Sequence, residues 1–98
     1  DYLIVMLSNV LNVIAEKETR IEILRNIKNH MSLCGSLFIK IYEGDKTGIL
    51  KINEKKNSCQ LNRKTIDYVE EIKEVFEVVN YEWSCGIPII VAEKKGGE

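Results

Sequence analysis

Ninety-eight residues allow one domain at most. Hydrophobic residues are 45% and charged residues 30%, an ordinary balance for a globular protein in water. A net charge of −1 gives no overall pull toward nucleic acid or an anionic membrane, and no apolar run approaches the roughly 20 residues of a membrane span.

The chain starts on the apolar run Tyr2-Leu3-Ile4-Val5-Met6-Leu7, which suits a strand covered on both faces, as in a parallel sheet between helices. Such a strand belongs mid-sheet, so the expectation is that its other neighbours come from a preceding half not present in these residues. No basic stretch precedes the run and asparagines follow it, so a secretion signal is not expected. Ser8-Asn9 forms a polar tip, and Val10-Leu11-Asn12-Val13-Ile14 fits a short helical turn or a packed loop.

The spacing of Ile21, Leu24, Ile27 and Met31 predicts a helix from about Glu16 to Met31, with Glu16 and Glu18 in its first turn and Lys28 and His30 in its last, as the helix dipole favours. Ser32-Leu33-Cys34-Gly35 should end it. Residues 36–42 read as a second strand, and the strand–helix–strand order makes the two strands parallel. Residues 45–64 are polar and irregular, with a short extended piece at 48–52 and an exposed turn at 53–58. A connection of that length is more often functional than accidental. A second helix is expected from about Thr65 to Phe76, capped by Asn62 or Thr65. The alternating segment 77–83, the turn Ser84-Cys85-Gly86 and the run 87–92 read as a closing hairpin, with Pro88 tolerable near the start of its strand. Trp83 and Tyr81 on that hairpin should pack on a helix or a sheet edge. Residues 94–98 read as a disordered tail.

Cys34, Cys59 and Cys85 are an odd set at wide spacing, and His30 is the single histidine. No zinc-type ligand set can be drawn, so no metal site is expected, and reduced thiols in a cytoplasmic protein are the plainest reading.

This order of elements resembles the second half of a class I S-adenosylmethionine-dependent methyltransferase. Three segments carry the resemblance: Asp1 through the tip Ser8-Asn9-Val10-Leu11-Asn12-Val13-Ile14, the turn and strand Leu33-Cys34-Gly35-Ser36-Leu37-Phe38-Ile39, and the terminal pair Phe76-Glu77-Val78-Val79 and Cys85-Gly86-Ile87-Pro88-Ile89-Ile90-Val91. Tyr42-Glu43-Gly44-Asp45 and the segment 59–65 are similar to methyltransferases of bacteria and their phages. The resemblance implies an α/β, partial Rossmann-like sheet in the order β-α-β-α-β-β over 1–93, with parallel strands closed by an antiparallel carboxyl-terminal hairpin. It also implies S-adenosylmethionine as cofactor of the longer protein. The family's glycine-rich cofactor loop is not in this sequence, whose glycines stand singly or in the tail, so the resemblance implies a piece inactive or weak in isolation.

Ligands of open α/β sheets sit outside the carboxyl ends of the strands. That edge carries Ser8, Asn9 and Asn12, the cofactor-side candidates, with Asn9 also placed to hold an amine or hydroxyl in line with the methyl group. Tyr42 is an acceptor-side candidate there, and Glu43 a candidate proton acceptor. Methyl transfer by direct displacement needs mainly positioning and removal of one proton. Arg63 is a second acceptor-side candidate, with Gln60 and Asn62 beside it. Strand-end turns favour serine and asparagine in any case, so each residue also has a purely structural reading.

Two other readings stand beside this one. A small non-enzymatic α/β module could bury its first strand by pairing with a second copy, a homodimer through the exposed edge. The basic residues Lys46, Lys51, Lys55, Lys56, Arg63 and Lys64 could contact a nucleic-acid backbone, although the aromatics that usually interleave such a surface are missing.

Overall fold

A computed structural model describes residues 2–94, with Tyr2 in its backbone only. Strand β1 (Tyr2–Ser8) leads to a 3₁₀ turn at Leu11–Val13 and helix α1 (Lys17–Asn29). Strand β2 (Met31–Lys40) follows after one residue. Strands β3 (Leu50–Asn53) and β4 (Ser58–Leu61) form a hairpin. A 3₁₀ turn at Thr65–Tyr68 runs into the short helix α2 (Val69–Lys73), and β5 (Val78–Ser84) and β6 (Ile87–Glu93) close the chain.

The main sheet has the order β1-β2-β6-β5. β1 and β2 are parallel, as the short crossover through α1 requires, and β6 lies antiparallel between β2 and β5. Helix α1 forms because Ile21, Leu24 and Ile27 recur on one stripe, which it lays on the sheet. Leu37 and Ile39 from β2, Ile41 just after it, and Ile90 and Ala92 from β6 meet that stripe, together with Tyr68, Ile72, Val75 and Phe76. The period of two along the strands puts the intervening side chains on the other face.

That other face is open. Ile4 and Met6 of β1 are 63% and 76% exposed. The expectation of a first strand covered on both faces is therefore corrected: among the described residues β1 pairs only with β2 and forms the sheet border. Its tip nonetheless meets a cavity of about 270 Å³ on the open face, lined by Met6, Ser8, Phe38, Lys40, Ser84 and Ile89 among others.

Four further expectations are adjusted. Met31 to Gly35 continue β2 instead of ending the helix, through an irregularity in register against β1. Cys34 takes a positive φ of 65° there, and its N–H donates to Lys94 O at 2.9 Å. Lys94 is thus ordered, its ammonium also donating to Lys28 O and Met31 O at the carboxyl end of α1, both at 3.0 Å; residues 95–98 and Asp1 lie outside the described residues. Within 45–64 the expected extended piece at 48–52 and exposed turn at 53–58 correspond to β3 and the hairpin turn, and the unexpected part is β4, which pairs with β3. The second helical segment is capped neither by Asn62 nor by Thr65.

Candidate functional site at the strand tips

The carboxyl ends of β1 and β2 lie side by side, with Ser8 opposite Lys40. The chain leaves β1 through Asn9 at φ 57°, a left-handed turn that asparagine tolerates better than most residues. The Asn9 N–H donates to Lys40 O at 2.9 Å, pinning the tip to β2. The side chains of Ser8 and Asn9 remain exposed.

Leu11 then enters the core and Asn12, 2% exposed, is drawn in beside it. The Asn12 amide nitrogen donates to Gln60 Oε1 at 2.9 Å. Gln60 in turn donates through Nε2 to Tyr42 O at 3.1 Å and Leu61 O at 3.2 Å. Backbone carbonyls only accept, so the nitrogen of Gln60 must face them and its oxygen must face Asn12. This fixed polarity leaves Asn12 Oδ1 buried without a partner among the described residues, at a cost of about 1–3 kcal/mol. Cys59 Sγ donates to Val13 O at 3.2 Å, so β4 sits directly on the turn that holds Asn12.

Tyr42 follows β2 and is 62% exposed. Glu43 turns inward: its Oε2 accepts the Thr65 N–H at 2.5 Å and Lys46 Nζ lies 3.8 Å from Oε1. It therefore caps the helical segment that starts at Thr65, from far away in sequence. Burial pushes the Glu43 carboxyl up, but the Thr65 hydrogen bond and Lys46 outweigh that and hold it below the usual glutamate range. A carboxylate so held accepts a proton less readily. Gly44 at φ 62° lies so close to the buried Asn62 that a Cβ would fall on the Asn62 side chain.

Arg63 is engaged elsewhere. Its guanidinium donates to Glu71 Oε2 and to Asp67 O, and stacks 4.2 Å from the centre of the Tyr68 ring. Arg20 completes the cluster. It donates to both oxygens of Glu71, at 2.8 and 3.2 Å, and to Ile14 O and Ala15 O at 2.8 and 3.1 Å. Burial disfavours the Glu71 charge, yet the hydrogen bonds from Arg20 and Arg63 more than reverse this and lower its pKa. The cluster thus ties the segment after Asn12 to α1 and α2.

Ser8, Asn9, Asn12 and Tyr42 are accordingly gathered at one edge, whereas Glu43 and Arg63 are bound to the second helical segment. Tyr68 is on the apolar stripe of the second helical segment, as its spacing indicates, but the sequence does not point to Arg20 and Glu71. The signal for them was slight: Arg20 lies four residues before Leu24 and Glu71 three after Tyr68, each on an apolar stripe where a charge needs a partner. Of the basic residues at 46–64, Lys51 pairs with Asp45 at 3.0 Å and Arg63 with Glu71, while Lys55 and Lys56 stand exposed at the hairpin turn. Tyr81 and Trp83 meet edge to face, 6.2 Å apart, on β5. Among the described residues no cluster of three His, Cys, Asp or Glu could hold a metal ion, and no helix is long and apolar enough to cross a membrane.

Ser8 and Asn9 expose polar groups at the carboxyl end of β1. The glycines with positive φ, Gly44, Gly48 and Gly86, stand apart from one another and form no cradle.

No protein-family model matches this chain, and no curated protein matches its sequence. A solved structure described as PigF with SAH matches its fold with a TM-score of 0.70 at 20% sequence identity. The match covers 94% of this chain and 30% of that chain. This chain therefore shares the α/β fold of part of that neighbour and spans under a third of its length.

Proposed function

We propose that the chain is the carboxyl-terminal part of a class I S-adenosylmethionine-dependent methyltransferase, acting on an acceptor in the cytoplasm and inactive or weak alone. One observation carries the reading: β6 inserted antiparallel between β2 and β5, in a sheet superposable over nearly the whole chain on a protein solved with SAH, the demethylated form of that donor. The donor supplies a methyl group on a sulfonium. In this chain, Ser8 and Asn9 form the cofactor-side wall at the strand tips, with Asn12 buried behind them, and Asn9 holds the acceptor hydroxyl or amine. Tyr42 lies toward the acceptor, whereas Arg63 is taken up by Glu71 and Asp67 O and has no part in the site. Glu43 fixes the start of the helical segment; its lowered pKa makes it a weak candidate for taking the proton. The test is calorimetry with S-adenosylhomocysteine on the longer protein and on residues 1–98. Binding to the longer protein and little or none to the short chain is expected; no binding to the longer protein would sink the assignment.

A second reading draws on the exposed border strand. Leu3, Ile4 and Met6, on an edge unpaired among the described residues, favour a small interaction module that pairs β1 with β1 of a second copy. Light scattering decides this: a stable monomer of residues 1–98 speaks against pairing. If the acceptor is nucleic acid, Lys55 and Lys56 are the contacts to test, and charge reversal at both should then weaken binding.

A further inference from the structure

We propose that the β3–β4 hairpin is a movable lid over the strand tips, that Gln60 is its latch, and that opening presents the Asn12 amide to the methyl acceptor. The nature of the ligand rests on the methyltransferase reading; the movement does not.

The hairpin and the sheet are attached by polar bonds of a kind that breaks singly. Gln60 bridges Asn12 to Tyr42 O, and Cys59 bonds Val13 O. Leu61 is the hairpin side chain that packs on the core, while Ile49 and Ile52 face water. Gly44, Lys46 and Gly48 on the incoming arm all have positive φ, and Gly48 has open space around its Cα. Between Val13 and the hairpin lies a cavity of about 560 Å³, lined by Ile52, Asn53, Asn57, Ser58 and Cys59, which is room for the hairpin to change its seat.

The closed form also carries a defect that opening removes. While Gln60 holds Asn12, the carbonyl oxygen of Asn12 is sealed from water with no donor among the described residues. Once Gln60 withdraws, Asn12 offers both a donor and an acceptor beside Ser8 and Asn9. That pair of functions suits a hydroxyl or amine, which can donate to the oxygen and accept from the nitrogen, and suits a carboxylate or phosphate poorly. Gln60 is thus a positioning residue: in the closed state it occupies the amide that the acceptor reads in the open one.

Cys59 reports the lid directly, because its thiol is half-buried against Val13, while the exposed Cys34 and Cys85 serve as references. The experiment is site-resolved alkylation with iodoacetamide, read by mass spectrometry, with amide hydrogen exchange measured in parallel. Gln60→Met should speed alkylation of Cys59 by a few-fold to about tenfold, the range expected from one lost hydrogen bond, with Cys34 and Cys85 unchanged and β2 and β6 amides still protected. An unchanged Cys59 overturns the lid. So does a rise in Cys59 that tracks loss of protection in β2 and β6, since the label would then report general unfolding. In the longer protein, S-adenosylhomocysteine binding separates the two claims: no binding with a responsive Cys59 removes the methyltransferase reading, and with it the nature of the ligand, and leaves the lid, whereas intact binding with an unresponsive Cys59 removes the lid alone.

Discussion

In the four-stranded body, Leu24, Leu37, Tyr68, Ile72 and Ile90 are fully withdrawn from water, whereas in the β3–β4 hairpin every residue from Lys51 to Ser58 is exposed. The body is held by many apolar contacts, none of them indispensable in its direction. The hairpin is held by a few directional bonds, each of which counts. Apolar burial is cooperative and spreads a loss over the whole core; a polar latch fails locally. One chain can therefore keep a rigid frame for the strand tips and still move a segment above them.

The largest expected effect tests the first half of that contrast. Phe76→Ala removes a ring that is 1% exposed, three residues beyond α2. It should cost about 4 kcal/mol of unfolding free energy, read as a lower urea midpoint with an unchanged slope. Alkylation of Cys59 under native conditions should rise only as far as global unfolding does. A loss below about 1 kcal/mol would mean that the body is not held by its core.

Glu71→Gln comes next and probes a charged joint inside the body. It leaves Arg20 and Arg63 near one another without their shared carboxylate, an expected loss of about 3 kcal/mol at pH 7. The pH dependence has a definite sign. The Glu71 pKa is lower in the folded chain than in the unfolded one. Its contribution is complete above the unfolded value of about 4.3 and is lost as pH falls below that toward the folded value. Urea midpoints measured from pH 7 down to pH 3 should fall more steeply for the wild type than for Glu71→Gln. Parallel curves would show that the cluster adds nothing to stability through charge.

Gly44→Ala acts at the seam between the two regions. The positive φ strains any other residue, and the added methyl group meets Asn62, so a cost of about 2 kcal/mol is expected. If the seam matters to the lid, Cys59 should also become more reactive in this variant.

Much of the body was legible because its signals are local. The apolar runs of β1 and β2, the stripe of α1, and Ser84-Cys85-Gly86, where Cys85 and Gly86 do take positive φ, each carry their structure within a few residues. What was illegible depends on distant partners. Ser58-Cys59-Gln60-Leu61 has little strand propensity and becomes β4 because β3 pairs with it. Met31 was placed on the helical stripe but joins β2, where it pairs with Tyr2. Lys94 was placed in a loose tail but bonds the bulge at Cys34 and the end of α1. At the site, Ser8, Asn9 and Asn12 could be named from the edge they occupy. The Arg20–Glu71 pair joins residues far apart in sequence, and the role of Glu43 as a remote cap could not be seen until Thr65 was brought beside it.

The smallest expected effect is the sharpest check on the contrast. Ile52→Thr changes a branched apolar residue to a branched polar one on a strand, where both are well tolerated by the backbone. Ile52 is 67% exposed, so little apolar area returns to water and the unfolding free energy should shift by less than about 0.5 kcal/mol. The same exchange at Ile72, which is fully buried, strips contacts from the core and strands a hydroxyl there, so its cost should approach that of Phe76→Ala. Two identical substitutions then report the two modes of attachment; Ile72 lies in α2, where the propensity difference between isoleucine and threonine is small beside the loss from the core. If Ile52→Thr proves as damaging as Ile72→Thr, the hairpin folds as part of the core, and a latch made of Gln60 and Cys59 would be too weak to govern its position.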